Sequence, residues 1–187
     1  MAYRNGTYVA FAADGGKNIT TSDIKYYNLL KGWNLMKSRT FRFNNPHDKG
    51  PQLRGESMEQ TIKRTLRSRL DNSKRFILLV GNTTKLDDDY VPYEITYAID
   101  VCKLPIIVVY VNHRNRLLNV PKNLEVLLPK VLKTRIDNGT ARTIHIPFRE
   151  RIINEAIKDY DFKNMPRYSY SVYNDSKYKS IYKDNEI

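Results

Sequence analysis

A chain of 187 residues with 41% hydrophobic side chains has enough apolar material for one compact core, which excludes a wholly disordered protein. Its longest apolar runs, Phe76 to Val80 and Leu104 to Val111, are strand-sized and fall short of the roughly 18 to 20 residues of a membrane helix, so no membrane partner is expected. The formal charge of +12 favours anionic partners in general without choosing among nucleotide, nucleic acid and acidic surface.

The first predicted element is a strand over residues 7–12, rich in aromatic and β-branched side chains, which runs into the turn chemistry of Ala13-Asp14-Gly15-Gly16. Thr21-Ser22-Asp23 then offers caps for a helix that turns Ile24, Tyr27, Leu30, Trp33 and Met36 inward. A short strand over 40–43 gives way to the polar loop 44–51, where two prolines and a glycine forbid regular structure. From Glu56 to Leu70, Met58, Ile62, Leu66 and Leu70 recur every fourth residue and predict an amphipathic helix buried along that line.

Phe76 to Val80 shows no polar alternation and reads as a strand buried on both faces, as in the middle of a parallel sheet. A loop at Gly81-Asn82-Thr83-Thr84, a helix from about Tyr90 to Cys102 and a buried strand over 105–111 follow. Leu124, Leu127, Leu128 and Val131 suggest a short helix before the Asp137-Asn138-Gly139 turn. A last strand over 143–146 precedes a closing helix carrying Phe148, Ile152, Ile153, Ala156 and Ile157. Beyond Tyr160 the chain holds tyrosines but few aliphatic residues, so residues 161–187 read as an extended arm or a partner-binding tail after a domain of residues 1–160.

Strands alternating with helices imply an α/β fold, a flavodoxin-like three-layer sandwich whose parallel sheet has about five strands in the order 2-1-3-4-5. In such a sheet ligands bind beyond the carboxyl ends of the strands, so the loops after Ala12, Phe43 and Val80 are expected to share one crevice. Glu94, in Tyr90-Val91-Pro92-Tyr93-Glu94-Ile95, follows the third of those loops. A helix amino end lowers the energy of a carboxylate and burial among tyrosines raises it, so Glu94 reads either as a cap or as an active acid.

The run from Glu59 to Gly81, followed by the Tyr90 to Ile95 hexapeptide, resembles bacterial TIR-like domain proteins. Within them it is most similar to the ThsB family of Thoeris antiphage defence. Tyr8-Val9-Ala10-Phe11 with its Asp14-Gly15 loop, Asn45-Pro46-His47-Asp48 and Leu104 to Val109 also fit, so the resemblance covers residues 7 to 160. It implies an enzyme that cleaves the nicotinamide–ribose bond of NAD and makes an ADP-ribose-derived, typically cyclic, signal read by a downstream effector. By the same resemblance Glu94 matches the catalytic glutamate, and Tyr90 stands where the family usually has tryptophan.

The chemistry agrees: breaking that bond builds positive charge on the ribose, and a carboxylate beside the sugar stabilises it. Nicotinamide leaves neutral, so no general acid is required; no second His or Cys stands at metal-ligand spacing from His47, so no metal is expected, and NAD enters as substrate with no bound cofactor. Phe11 and Tyr90 are candidates to stack on its rings, and Asp14, Asn45, His47, Asp48 and Asn82 to bind ribose or amide groups. The plainer reading makes Asp14 and Asn82 side-chain turns and His47 a hydrogen-bonded loop residue.

Cys102, without a histidine near it in sequence, reads as a small core residue, and His145 between strand isoleucines as structural. The lone cysteine and an N-terminus without an apolar core point to a cytoplasmic setting. Neither G-x-G-x-x-G nor a Walker lysine follows any strand, which argues against hydride transfer and phosphate-loop chemistry. The rival reading is a non-enzymatic TIR-like assembly module, with room for a homo-oligomer and a phage-derived trigger. No nucleic-acid motif is present.

Overall fold

A computed structural model describes residues 4–12, 24–35, 57–88 and 90–182. Five parallel strands, β1 (Gly6–Ala10), β2 (Ser73–Val80), β3 (Ile106–Tyr110), β4 (Thr143–Pro147) and β5 (Ser171–Val172), lie side by side in that order. Consecutive parallel strands need crossovers, and these are helical: α2 (Met58–Asp71), α3 (Tyr90–Thr96), α5 (Lys130–Asp137) and α6 (Glu150–Asp159). Helix α1 (Ile24–Leu35) follows β1, α4 (Lys122–Glu125) precedes α5, and α7 (Asp175–Ile181) follows β5.

Side chains alternate across the sheet and define two cores. Tyr8, Phe76, Leu78, Val80, Ile106, Val108 and Tyr110 face α2, α3 and α5. Val9, Ile77, Leu79, Ile107, Val109, Ile144 and Ile146 face α1, α6 and α7. The result is a three-layer α/β sandwich, as the alternation of predicted strands and helices implies. The first, third, fourth and fifth predicted strands are neighbours in that order; the strand predicted over 40–43 lies outside the described residues.

Three expectations are corrected. Met58 does not join the core: it is 72% exposed, while Thr61, Leu66 and Leu70 are buried. A four-residue step turns a helix by about 400°, so a ladder repeated every fourth residue drifts about 40° per step and its far end leaves the sheet. The stretch after residue 120 forms two helices, not one, because Pro129 caps α5, and Leu132 and Ile136 carry its buried face. The tyrosine-rich segment is no extended arm over residues 171–182: β5 pairs with β4, and Tyr173, Tyr178 and Tyr182 enter the second core. Their hydroxyls are satisfied there, Tyr178 accepting from the Leu117 amide at 3.2 Å and Tyr173 donating to Asp159 at 2.7 Å.

His145 is structural, as the sequence suggests. It is fully buried on β4, with Nδ1 2.9 Å from the Tyr110 hydroxyl and Nε2 2.9 Å from Thr143 Oγ1. Because the Thr143 hydroxyl donates to the Ser169 carbonyl at 2.5 Å, it must accept from Nε2–H, and Nδ1 is left to accept from Tyr110. Burial holds the ring neutral, with its pKa pushed down to about 3.

Candidate functional site around Glu94

Helix α3 starts ten residues after β2 ends, behind a tight turn in which the Gly81 amide donates to Thr84 Oγ1 at 2.7 Å. Glu94 is the fifth residue of α3, too far along to cap it. That role falls to Asp87, whose carboxylate accepts from the Val91 amide at 3.3 Å. Glu94 instead turns inward between Val91 and Ile95 and is 4% exposed. The cap reading of Glu94 is thereby answered: its side chain serves no orphan amide of its own helix and reaches across to the sheet.

There it meets Tyr8 of β1, whose hydroxyl donates to Glu94 Oε1 at 2.5 Å. Tyr8 is fully buried and its ring stacks on Phe76 at 5.3 Å, so the donor is held by packing on both sides of the bond. Burial dominates the electrostatics and pushes the Glu94 pKa up to about 8; the Tyr8 hydrogen bond works the other way, and Asp87 adds to the rise. Tyr8 itself is raised well above the usual phenol value, first by burial and then by Glu94, with Arg69 of α2 opposing. The pair is a buried carboxyl, mostly neutral at pH 7, gripped by a phenol that will not ionise.

The other predicted site residues divide three ways. Tyr90 opens α3 one turn before Glu94 and is half-buried against the same core, while Asn82 is exposed in the turn after β2. Phe11 is buried on the opposite face of the sheet, stacked on Tyr27 at 4.7 Å. Asp14, Asn45, His47 and Asp48 lie outside the described residues. Sequence reading missed Tyr8 as the partner of Glu94. The signal available was its place on β1 at alternate spacing from Ala10, which puts it on the face that α3 covers.

Residues 8–116 match the family model of the Thoeris protein ThsB, TIR-like domain. The chain belongs to the Thoeris ThsB TIR-like family. The matched stretch begins at Tyr8 and contains Glu94, so both ends of the buried hydrogen bond fall inside the ThsB TIR-like region. Membership places the chain in TIR-type antiphage defence signalling. The strands and helices after residue 116 complete the same sheet beyond the matched ThsB region. Among the described residues no helix is long and apolar enough to cross a membrane.

Proposed function

We propose that the chain is an NAD-consuming enzyme of Thoeris defence that breaks the nicotinamide–ribose bond, with Glu94 as the carboxylate that stabilises the reacting sugar. The observation that carries this reading is a lone acid turned inward from α3, buried, and held by the Tyr8 hydroxyl at 2.5 Å within the family-matched region. In the reaction the bond between ribose C1′ and the ring nitrogen breaks with its electron pair going to nicotinamide, which leaves neutral. The cation left on the ribose is stabilised by the negative carboxylate. Its capture by water gives ADP-ribose, and capture by a nucleophilic group of the same molecule gives a cyclic signal for a downstream effector.

Glu94 needs its negative form for this, and burial opposes that form. The positive nicotinamide ring of bound NAD favours it, so substrate binding and ionisation reinforce each other. No metal or other cofactor enters the scheme. In this scheme substrate enters at the carboxyl edge of the sheet, and Asp14, Asn45, His47, Asp48 and Asn82 are the candidates for its polar contacts.

The test is nicotinamide release from NAD by purified protein, alone and with phage lysate as trigger, with the products identified by mass spectrometry. Activity in the wild type and its loss in Glu94→Gln is the expected result. Absence of release under every trigger, or equal release by the variant, overturns the enzymatic reading and leaves the assembly module.

A further inference from the structure

The Glu94 carboxyl has two oxygens, and the fold treats them differently. Oε1 accepts from the Tyr8 hydroxyl at 2.5 Å. Among the described residues no other hydrogen bond reaches the carboxyl, so Oε2 is left to accept from a ligand. The donor is fixed by the sheet, not by the helix that carries the acid: Tyr8 pairs in register with Phe76 of β2, and their rings stack at 5.3 Å with 12° between their planes. Both side chains are fully buried, and close packing holds the phenol where it is. Tyr8 stands two residues before the carboxyl end of β1, the edge at which sheets of this type meet their ligands.

A phenol donates more strongly to a carboxylate than to a neutral carboxyl, so the bond favours the ionised form of Glu94. Burial works against that form, and Asp87, in the turn before α3, adds to the opposition. The other charged or titratable groups act on Tyr8: Arg69 of α2 lowers its pKa and Tyr27 of α1 raises it. Val91 and Ile95 of α3 and Phe76 of β2 belong to the same core and bring no charge. Burial keeps Tyr8 protonated well above neutral pH, so it remains a donor throughout the range in which Glu94 changes charge. Among the described residues it is the hydrogen-bonding partner that promotes the negative carboxylate.

We infer that Tyr8 is a positioning residue for the reaction: its hydroxyl holds Oε1 of Glu94 and leaves Oε2 to meet the ribose of the substrate. This rests on the reading that Glu94 acts as a carboxylate toward NAD. One bond meets two demands. A carboxylate stabilises the ribose cation only when its oxygen is held within reach, and a flexible side chain left to swing loses that advantage. The charge must also stay on the acid in a buried setting, and a donor on the oxygen away from the sugar stabilises it without neutralising it. Phenylalanine at position 8 keeps the ring for the Phe76 stack and removes both effects.

Carbon NMR of protein labelled at the glutamate side-chain carboxyl tests the hold on the acid, and nicotinamide release tests its use. The Glu94 signal is the one missing from Glu94→Gln, and its titration is followed in wild type and in Tyr8→Phe, with circular dichroism showing that the variant is folded. The Glu94 midpoint should move upward in Tyr8→Phe by about one pH unit or more, the worth of a hydrogen bond to a charged group. The acid limb of kcat/KM, which reports the free enzyme, should move by the same amount and lower the value at pH 7 about tenfold. Above that limb kcat should still fall with KM little changed, the mark of lost positioning. Replacing Tyr8 by 3-fluorotyrosine, which keeps the shape and donates more strongly, should move both midpoints the other way, and it carries the test if Tyr8→Phe does not fold. An unmoved Glu94 midpoint, or a rate loss equal at every pH, overturns the inference; with Glu94→Gln inactive, the enzymatic reading then stands without it. A wild type that releases no nicotinamide under any trigger overturns the enzymatic reading and this inference with it, and a Glu94 midpoint that still moves in Tyr8→Phe locates that failure in the reaction and not in the buried pair.

Discussion

Replacing Glu94 by glutamine tests the buried carboxyl independently of any enzymatic assay. The unfolded chain titrates this group near its ordinary value of 4.5, and the folded chain near about 8. An acid whose pKa is raised on folding contributes fully below the unfolded value, and that contribution drains away as pH rises from 4.5 through 8, because the unfolded chain releases its proton first. At about 1.4 kcal/mol per pKa unit, the full loss is about 5 kcal/mol, and the part falling between pH 6 and pH 9 is about 3 kcal/mol. Glutamine keeps an acceptor for the Tyr8 hydroxyl and cannot ionise, so the variant escapes this loss. Urea unfolding followed by circular dichroism at pH 6, 7, 8 and 9 for both proteins gives the difference directly, with all other titrating groups cancelling. The stability of Glu94→Gln relative to wild type should climb by about 3 kcal/mol across that range, flattening above pH 8. Parallel curves for the two proteins would show that the carboxyl is not held neutral by burial and would refute the reasoning.

Tyr8→Phe removes the donor to a buried carboxyl and should cost about 1–3 kcal/mol in urea unfolding; it should also move the pH dependence attributed to Glu94 to higher pH, since that hydrogen bond is what holds the carboxyl down. Tyr178→Ala, at a fully buried position in the second core, should cost about 3–5 kcal/mol, read from the shift of the urea midpoint. Lys103 takes a left-handed backbone, with φ 54°, where the chain leaves its π turn and the Leu104 amide closes on the Ala98 carbonyl at 2.9 Å; Lys103→Gly should stabilise the fold by about 1 kcal/mol in thermal unfolding. The imidazole of His145 should show a neutral Nε2–H tautomer in ¹⁵N spectra down to pH 5, and a charged ring there would contradict the Tyr110–His145–Thr143 chain.

The strands between residues 57 and 159 and the helices α2, α3 and α6 were readable because their apolar periods are clean, whereas the weaker pattern after residue 116 hid the division into α4 and α5. Phe76 to Val80 and Ile106 to Val109 carry no polar alternation, which a strand covered on both faces requires. The pattern misled where one residue served two masters. Tyr173, Tyr178 and Tyr182 look like surface aromatics among lysines and serines, yet a tyrosine enters a core whenever its hydroxyl finds a partner, and sequence does not reveal Leu117 or Asp159 as those partners. The continuation of α3 as a π turn over Tyr97–Val101 also leaves no trace in composition. Glu94 stood out by its place just past the third loop and again by resemblance, while Tyr8 went unread because the 2.5 Å bond joins residues 86 apart in the chain.

Strand β5 is only two residues long, pairing Ser171 and Val172 with Ile144 and His145 on the outer side of β4. Ribosomes deliver residues in order, so the flank of β4 stays bare until everything up to position 172 has emerged. During that interval a nascent molecule exposes ladder groups able to dock a neighbour's backbone, and arrival of the last segment closes the seam. Stalling or cleavage shortly before residue 171 would thus yield sticky fragments rather than merely shortened proteins.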